Sequence, residues 1–301
     1  MRSANHQHEQ QSFFKYMPLD TAKIVLENTT LRWSSPVIFN DPFDVPRELF
    51  HEATEHQISQ AFCQKLHSEL MNPRDNLDGV NASLAGLIQH VKKMYPKGIP
   101  ATLDSLFKTM TLNPPIGDDA PLVLQQFKEH WRKTLADRRI LCLSESPSIL
   151  SMWNHYADGY KGVVLEFACL DALDSAWLLA KPIKYTNEKL LTDSCEGMAD
   201  LFLREESVVG KYLANEVIYI KTKEWEYERE WRVAFSKRDG EEGLYSDYKF
   251  HHLELKSIIL GHQFDNSELP DIVALSQKYP NATIKRAKLT AQRELVLETI
   301  S

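Results

Sequence analysis

Residues 223–235, KEWEYEREWRVAF, constrain this chain more than any other stretch. In a strand, successive side chains point to opposite faces. Tyr227, Arg229, Trp231, Val233 and Phe235 then share a largely apolar face that packs on a core. Glu226, Glu228, Glu230 and Arg232 share the other face, with successive carboxylates about 7 Å apart. Like charges lined up on one strand destabilise it. Such a row belongs either to a solvated ionic ladder or to the wall of a site that uses carboxylates.

The bulk properties narrow the setting. A chain of 301 residues with 43% hydrophobic and 26% charged content is sized for one large globular domain or two smaller ones. Lys+Arg 35 against Asp+Glu 42 gives a net charge of −7, so no general nucleic-acid affinity is expected. Cys63, Cys142, Cys169 and Cys195 are far apart and form no C-x-x-C pair, which argues against a zinc ribbon or disulfide framework and fits a reducing, cytoplasmic location. No apolar run reaches the roughly 18 residues of a membrane span, and no membrane partner is expected. Residues 1–12 are polar, lack the apolar core of a signal peptide, and are expected to form a disordered lead.

Hydrophobic periodicity then divides the chain. DTAKIVLEN at 20–28 carries a helical pattern that Asp20 is expected to cap, 30–35 a strand pattern, and PVIFNDPFDVP at 36–46 an ordered turn whose prolines hold the preceding residues out of helical geometry. Residues 48–137 change to helices at about 56–71, 80–95 and 121–138, with Ile58, Phe62, Leu66 and Leu70 at helical spacing; this is expected to be an insertion or lid. Strand signals return in ILCLSES (140–146) and VVLEFA (163–168), on either side of a short helix, ILSMWNHYA, that Ser148 or Ser151 is expected to cap. A helix over 194–215, the 223–235 strand, LELKSIILG and two closing strands complete the pattern. Strands and helices alternate without strict βαβ order. The expected fold is α+β, a mixed, largely antiparallel sheet with a helical insertion, in a single domain over 13–301.

Phosphate loops, nucleophile elbows and zincin helices are absent, and the histidines of HEATEH at 51–56 have the wrong spacing for a zinc pair. Three constellations remain. Asn40 and Asp41 sit in the rigid NDPFD turn, as Asx-turn formers or as hydrogen-bonding groups toward a ligand. In MWNHY, helical spacing places Trp153 and Tyr156 on one face and Met152 and His155 on another, for core packing or as an aromatic platform. Glu228, Glu230 and Arg232 form the third, as an ionic ladder or as catalytic carboxylates with an orienting arginine.

FKYMPLD, SSPVIFNDPFD, ILCLSES, MWNHYADGYKGVVLEF and YEREWR occur in this order. Together they resemble, over nearly the whole chain from Phe13, the bacterial family catalogued as domain of unknown function 2971. The order of elements also resembles the ADP-ribosyltransferase fold, a split sheet. That resemblance implies an opening strand carrying Tyr16 or Lys15, a middle strand ending in Ser144 before a helix with Trp153 and Tyr156, and a late strand carrying Glu228-x-Glu230. It departs from the family's pattern in reading Ser-Glu-Ser at 144–146 and in its long insertion. The implied activity is that of an NAD+-using ADP-ribosyltransferase or NAD+ glycohydrolase, in bacterial stress or phage defence, acting on an unknown macromolecular acceptor. Glu230 would be the catalytic carboxylate and Glu228 would activate the acceptor. Tyr16, Trp153 and Tyr156 would meet nicotinamide, Ser144 and Asn40 would position ribose, and Arg232 would orient the carboxylate. No resident metal is expected. Two other classes stay open. One is a non-enzymatic sensor or interaction module. The other is a metal-dependent nuclease or hydrolase, which needs Asp41, Asp44, Glu228 and Glu230 within about 5 Å of one another.

Overall fold

A computed structural model describes residues 2–47, 54–114 and 120–300 of the protein. The strands are β1 (Ser12–Met17), β2 (Thr30–Ser34), β3 (Arg138–Ser144), β4 (Val163–Ala168), β5 (Lys181–Pro182), β6 (Lys184–Tyr185), β7 (Ile220–Lys221), β8 (Glu230–Ser236), β9 (Tyr245–Lys249), β10 (Leu255–Leu260), β11 (Thr283–Leu289) and β12 (Leu295–Thr299). The helices are α1 (Leu19–Asn28), α2 (Glu55–Met71), α3 (Ala82–Met94), α4 (Ala101–Leu112), α5 (Ala120–Asp137), α6 (Leu150–Tyr156), α7 (Cys195–Phe202), α8 (Glu206–Lys211) and α9 (Leu269–Ser276). The fold class is α+β. The chain divides into two compact units.

The first unit, Met1–Asp41, Ala136–Thr186 and Tyr219–Ser301, holds the sheet. Its strands run β12-β11-β10-β4-β1-β3, and β3 then pairs with both β2 and β8. The pairings are antiparallel except β10 with β11 in this sheet and the separate β6–β7 pair. β4 is central because VVLEFA is apolar almost throughout, the pattern of a strand covered on both sides. Val163, Leu165 and Phe167 face one core with Val25 and Leu26 of α1 and Ile272 of α9. Val164 faces a second core with Tyr16, Met152 and Trp153. At the end of this layer, Gly162 and Gly261 meet backbone to backbone. The Gly261 N–H donates to the Gly162 carbonyl at 3.0 Å, and a Cβ on Gly162 would stand 2.4 Å from the Met17 carbonyl oxygen.

β3 sets the site. Ser144 lies opposite Phe14 of β1 on one side and opposite Glu230 of β8 on the other. The opening, middle and late strands are therefore neighbours, in the order β1-β3-β8.

The second unit, Pro42–Leu135 and Asn187–Ile218, is helical, and it takes in 187–218 besides the expected insertion. Thr54 and Gln57 form a capping box at the start of α2. Leu70, Val80, Leu84, Ile88 and Leu203 form its buried centre, with Phe62 and Leu66 packed against them. α4 was not expected: none of its residues is fully buried, so the helical stripe is faint in the sequence. The expected helix over 194–215 is two helices, because the chain opens at 203–205 to bond with residues 79–81. Residues 48 and 51–53, where the insertion and the histidine pair begin, lie outside the described residues. Among the described residues, no helix is long and apolar enough to cross a membrane.

Candidate active site

The 223–235 segment is not one strand. Lys223–Glu228 is a 3-10 helix, Arg229 takes a left-handed φ of 45°, and β8 begins only at Glu230. The cause lies in the neighbour. β3 ends at Ser144, with Pro147 three residues on, so residues before Glu230 find no ladder partner. A last bond joins the Glu145 N–H to the Arg229 carbonyl at 3.2 Å. The expected row of three carboxylates is accordingly broken: Glu226 is exposed, while Glu228 and Glu230 are buried. Tyr227 and Arg229 likewise leave the face of Trp231 and Val233. Phe235 is exposed.

Glu228 and Glu230 converge on Lys221, the last residue of β7. Its ammonium donates to Glu228 Oε2 at 2.6 Å and to Glu230 Oε2 at 3.1 Å. Tyr156, at the end of α6, donates its hydroxyl to Glu228 Oε1 at 2.6 Å. Arg232 binds Glu230 with two nitrogens, Nε to Oε1 at 2.6 Å and Nη2 to Oε2 at 3.1 Å. The i, i+2 spacing on β8 puts Glu230 and Arg232 on one face, as the alternation predicts. All four carboxylate oxygens are thus engaged. Each of the four charged residues is at most 6% exposed. The main chain is held as tightly: Ser144 Oγ donates to the Glu228 carbonyl at 2.7 Å, and the Glu230 N–H donates to the Tyr185 hydroxyl at 2.7 Å.

The two carboxyls titrate apart. Burial pushes Glu230 up, but the Arg232 and Lys221 cations outweigh it and hold the carboxyl at about 2. For Glu228 burial is the largest influence and, with the nearby Glu230 charge, raises its pKa against the pull of Lys221. Tyr156 is held strongly in its phenol form by burial and the Glu228 charge beside it. A proton entering the cluster therefore settles on Glu228, while Glu230 keeps its charge.

Glu230 also lines an open cleft of about 580 Å³ with Tyr185, Tyr227, Arg229, Trp231 and Glu145. Trp231 donates its indole N–H to Glu145 Oε2 at 3.1 Å. Of the residues expected at a site, Ser144, Tyr156, Glu228, Glu230 and Arg232 meet in the buried cluster beneath this cleft, and of these Glu230 lines the cleft itself. Others stand elsewhere. Tyr16 is 5% exposed and its hydroxyl donates to the Ser146 carbonyl at 2.8 Å while accepting from the Ile149 N–H at 3.3 Å. That bond serves the start of α6 in place of the expected serine cap, which is absent. Trp153 is fully buried, its indole donating to the Pro147 carbonyl at 2.7 Å. Sealed in this way, Tyr16 and Trp153 offer no face to a ligand. Asn40 is exposed and accepts from the Asp41 N–H at 3.1 Å, a local turn contact. Lys15 donates to the Cys142 carbonyl at 2.7 Å. Lys221 and Tyr185 escaped the sequence reading because each lies on a two-residue strand with no periodic signal. Among the described residues, no group of three or more His, Cys, Asp or Glu is placed to hold a metal ion.

Residues 152–233 match the sequence model of a family described as protein of unknown function (DUF2971). That stretch runs from α6 through β8 and contains Tyr156, Tyr185, Lys221, Glu228, Glu230 and Arg232. No curated protein matches the chain, and no solved structure does.

Proposed function

We propose that the chain consumes NAD+, as an ADP-ribosyltransferase-like enzyme or an NAD+ glycohydrolase, with Glu230 as its catalytic carboxylate. The observation that carries this reading is the register β1-β3-β8, which sets Ser144 directly opposite Glu230, while Glu230 itself lines a cleft walled by aromatic rings. In the reaction, the bond between nicotinamide and ribose C1′ breaks and its electron pair leaves with nicotinamide. Positive charge then develops on the ribose. A fixed carboxylate at that position stabilises it. Water, or a nucleophile of a macromolecular acceptor, forms the new bond to C1′ and gives up its proton.

The side chains divide this work differently from the sequence expectation. Tyr185, Tyr227 and Trp231 supply the aromatic walls in place of Tyr16 and Trp153. Glu228 holds Lys221 against Glu230 and is a positioning residue. Arg232 orients the Glu230 carboxylate through its two bonds. Incubation of the purified chain with NAD+ is expected to release nicotinamide, and Glu230→Gln to abolish the release. Absence of nicotinamide release, alone and with bacterial lysate as a source of acceptors, overturns the reading.

One observation favours a second reading. All four oxygens of Glu228 and Glu230 are bonded inside the protein, as in a structural lock. The chain is then a non-enzymatic sensor or interaction module of a bacterial defence system. Under that reading Glu230→Gln lowers stability with no activity to lose.

A further inference from the structure

Residues 2–11, expected to be a disordered lead, lie along the sheet unit in a specific set of bonds. The Ser3 N–H donates to Asp171 Oδ1 at 2.8 Å, and Asn5 Nδ2 donates to Asp174 Oδ2 at 2.9 Å. His6 Nδ1 meets Asp171 Oδ1 at 2.9 Å, and the Gln7 N–H donates to the Leu178 carbonyl at 3.0 Å. The Cys169 N–H donates to the Gln11 carbonyl at 2.9 Å, extending the β1–β4 pairing by one residue. The Asn5 and His6 bonds need those side chains at fixed places, which a passive lead does not.

His8 is the residue of this segment that meets Trp231. Its ring packs edge-on against Phe13 at 5.1 Å and against Trp231 at 5.2 Å, between centroids. Nε2 lies 2.8 Å from the Trp177 carbonyl oxygen, an acceptor only, so Nε2 carries the hydrogen. Nδ1 lies 3.1 Å from the Gln10 N–H, a donor only, so Nδ1 must be bare. Both partners are main-chain groups and neither can change role. The bonds therefore select the neutral ring in one tautomer. A proton added at Nδ1 faces the Gln10 N–H and breaks that bond.

The far side of this bond is the cleft. Gln10 Nε2 reaches Glu145 Oε2 at 3.4 Å, the same oxygen that accepts from the Trp231 indole. We propose that residues 2–11 form a strap that positions the Trp231–Glu145 wall of the cleft, and that His8 is its pH-sensitive latch. This rests on the cleft and not on the NAD+ reading.

The charges around His8 agree. On its own segment stand His6, with ring centroids 5.3 Å apart, then Arg2, whose Nη2 donates to the His8 carbonyl at 2.9 Å, and Glu9, which pairs with Arg2 at 2.8 Å. From the 171–179 segment come Asp171, held by His6, and Asp174, held by Asn5. Just past the end of β3 stands Glu145, which meets Gln10 and Trp231 and lies 4.0 Å from Arg229, just before β8. Burial is the main cause that lowers the His8 pKa, with His6 and Arg2 acting in the same direction against the Trp177 carbonyl and Glu9. A histidine with a depressed folded pKa contributes docking energy above its unfolded value, near 6.5, and loses it as pH falls from there.

Hydrogen exchange read by mass spectrometry over residues 2–11, corrected for intrinsic rates, tests this on the full chain. Protection is expected at about pH 7.5 and to fall by up to about tenfold per pH unit below the neutral range, the slope of one proton. Peptides from β4 are expected to keep theirs. His8→Gln retains an amide donor for the Trp177 carbonyl without a titrating ring, and its strap is expected to stay docked at about pH 7.5 and at about pH 5.5. His6→Gln is expected to keep the pH-dependent release. Histidine ring NMR on the wild type is the second measurement: His8, with Nδ1 bare at neutral pH, must titrate in step with the loss of protection. An unprotected strap at pH 7.5, protection unchanged by acid, or release that follows His6 instead overturns the proposal.

Discussion

Two glutamates are buried in the same sheet, Glu166 on β4 and Glu230 on β8, and they are kept charged by different means. Glu166 accepts from Ser257 Oγ at 2.6 Å and pairs with Lys256 at 2.8 Å and Lys285 at 3.3 Å. Those lysines come in from solvent, with side chains 53% and 25% exposed. Arg232 and Lys221, the cations of Glu230, are 0% and 6% exposed. In both glutamates burial raises the carboxyl and the cations overcome it. A carboxylate neutralised by snorkelling lysines can lose one and let water substitute. In a closed network, removing a buried cation strands the carboxylate it neutralised.

Removal of a buried cation should break the β8 network most severely. Arg232→Met leaves Glu230 with Lys221 as its neutralising cation and is expected to cost about 3–5 kcal/mol in urea unfolding. A loss below about 1 kcal/mol would mean that water already reaches the pair. Glu230→Gln, read in the same way, is expected to cost about 3 kcal/mol, because two buried cations lose their shared counter-charge. It should also flatten the acid limb of stability. The Glu230 carboxyl lies below its ordinary 4.5, so its contribution is full above that value and is lost as pH falls toward about 2.

Tyr156→Phe removes one bond to a carboxylate and is expected to cost about 1.5 kcal/mol. Glu228→Gln is expected to cost about 1 kcal/mol or less at acid pH, because the amide imitates the protonated carboxyl that burial favours. The sign for Glu228 is opposite to that for Glu230. A raised carboxyl contributes stability below its unfolded pKa and loses it as pH rises, so Glu228→Gln should gain on wild type between mildly acid and neutral pH. On the Glu166 side, Lys256→Ala is expected to change stability by under about 1 kcal/mol. A loss as large as that of Arg232→Met would erase the distinction between the two glutamates.

Much of the sheet was legible because apolar runs such as VVLEFA and ILCLS are long and bounded. The pairing of Glu230 with Arg232 was legible because two residues on one strand face need only the period of a strand. The 3-10 helix over 223–228 was not. Its charged and aromatic residues alternate as a strand's do, and only the end of β3 at Ser144 decides that no strand can form there. Lys221 and Glu228 sit on either side of a change from a two-residue strand to a 3-10 helix, so no single periodicity pairs them. The strap was hidden for a related reason: MRSANHQHEQQ is polar, and composition cannot register that its side chains match particular carbonyls and carboxylates across the sheet unit. α6 shows the opposite error. Its aromatic spacing was read correctly, but only the surrounding core reveals that Trp153 points inward while Tyr156 turns toward Glu228.

The left-handed turn at Arg229 has a consequence for how this region opens. Because of it, Glu228 and Glu230 approach Lys221 from separate segments, and the ammonium ties the end of the 3-10 helix to the start of β8. Most strand ends fray residue by residue at little free-energy cost. Here Glu230 cannot leave β3 without surrendering Lys221 and Arg232 together, and Glu228 cannot leave without releasing Tyr156 as well. Residues 228–232 are bound to open in one cooperative step or to remain closed.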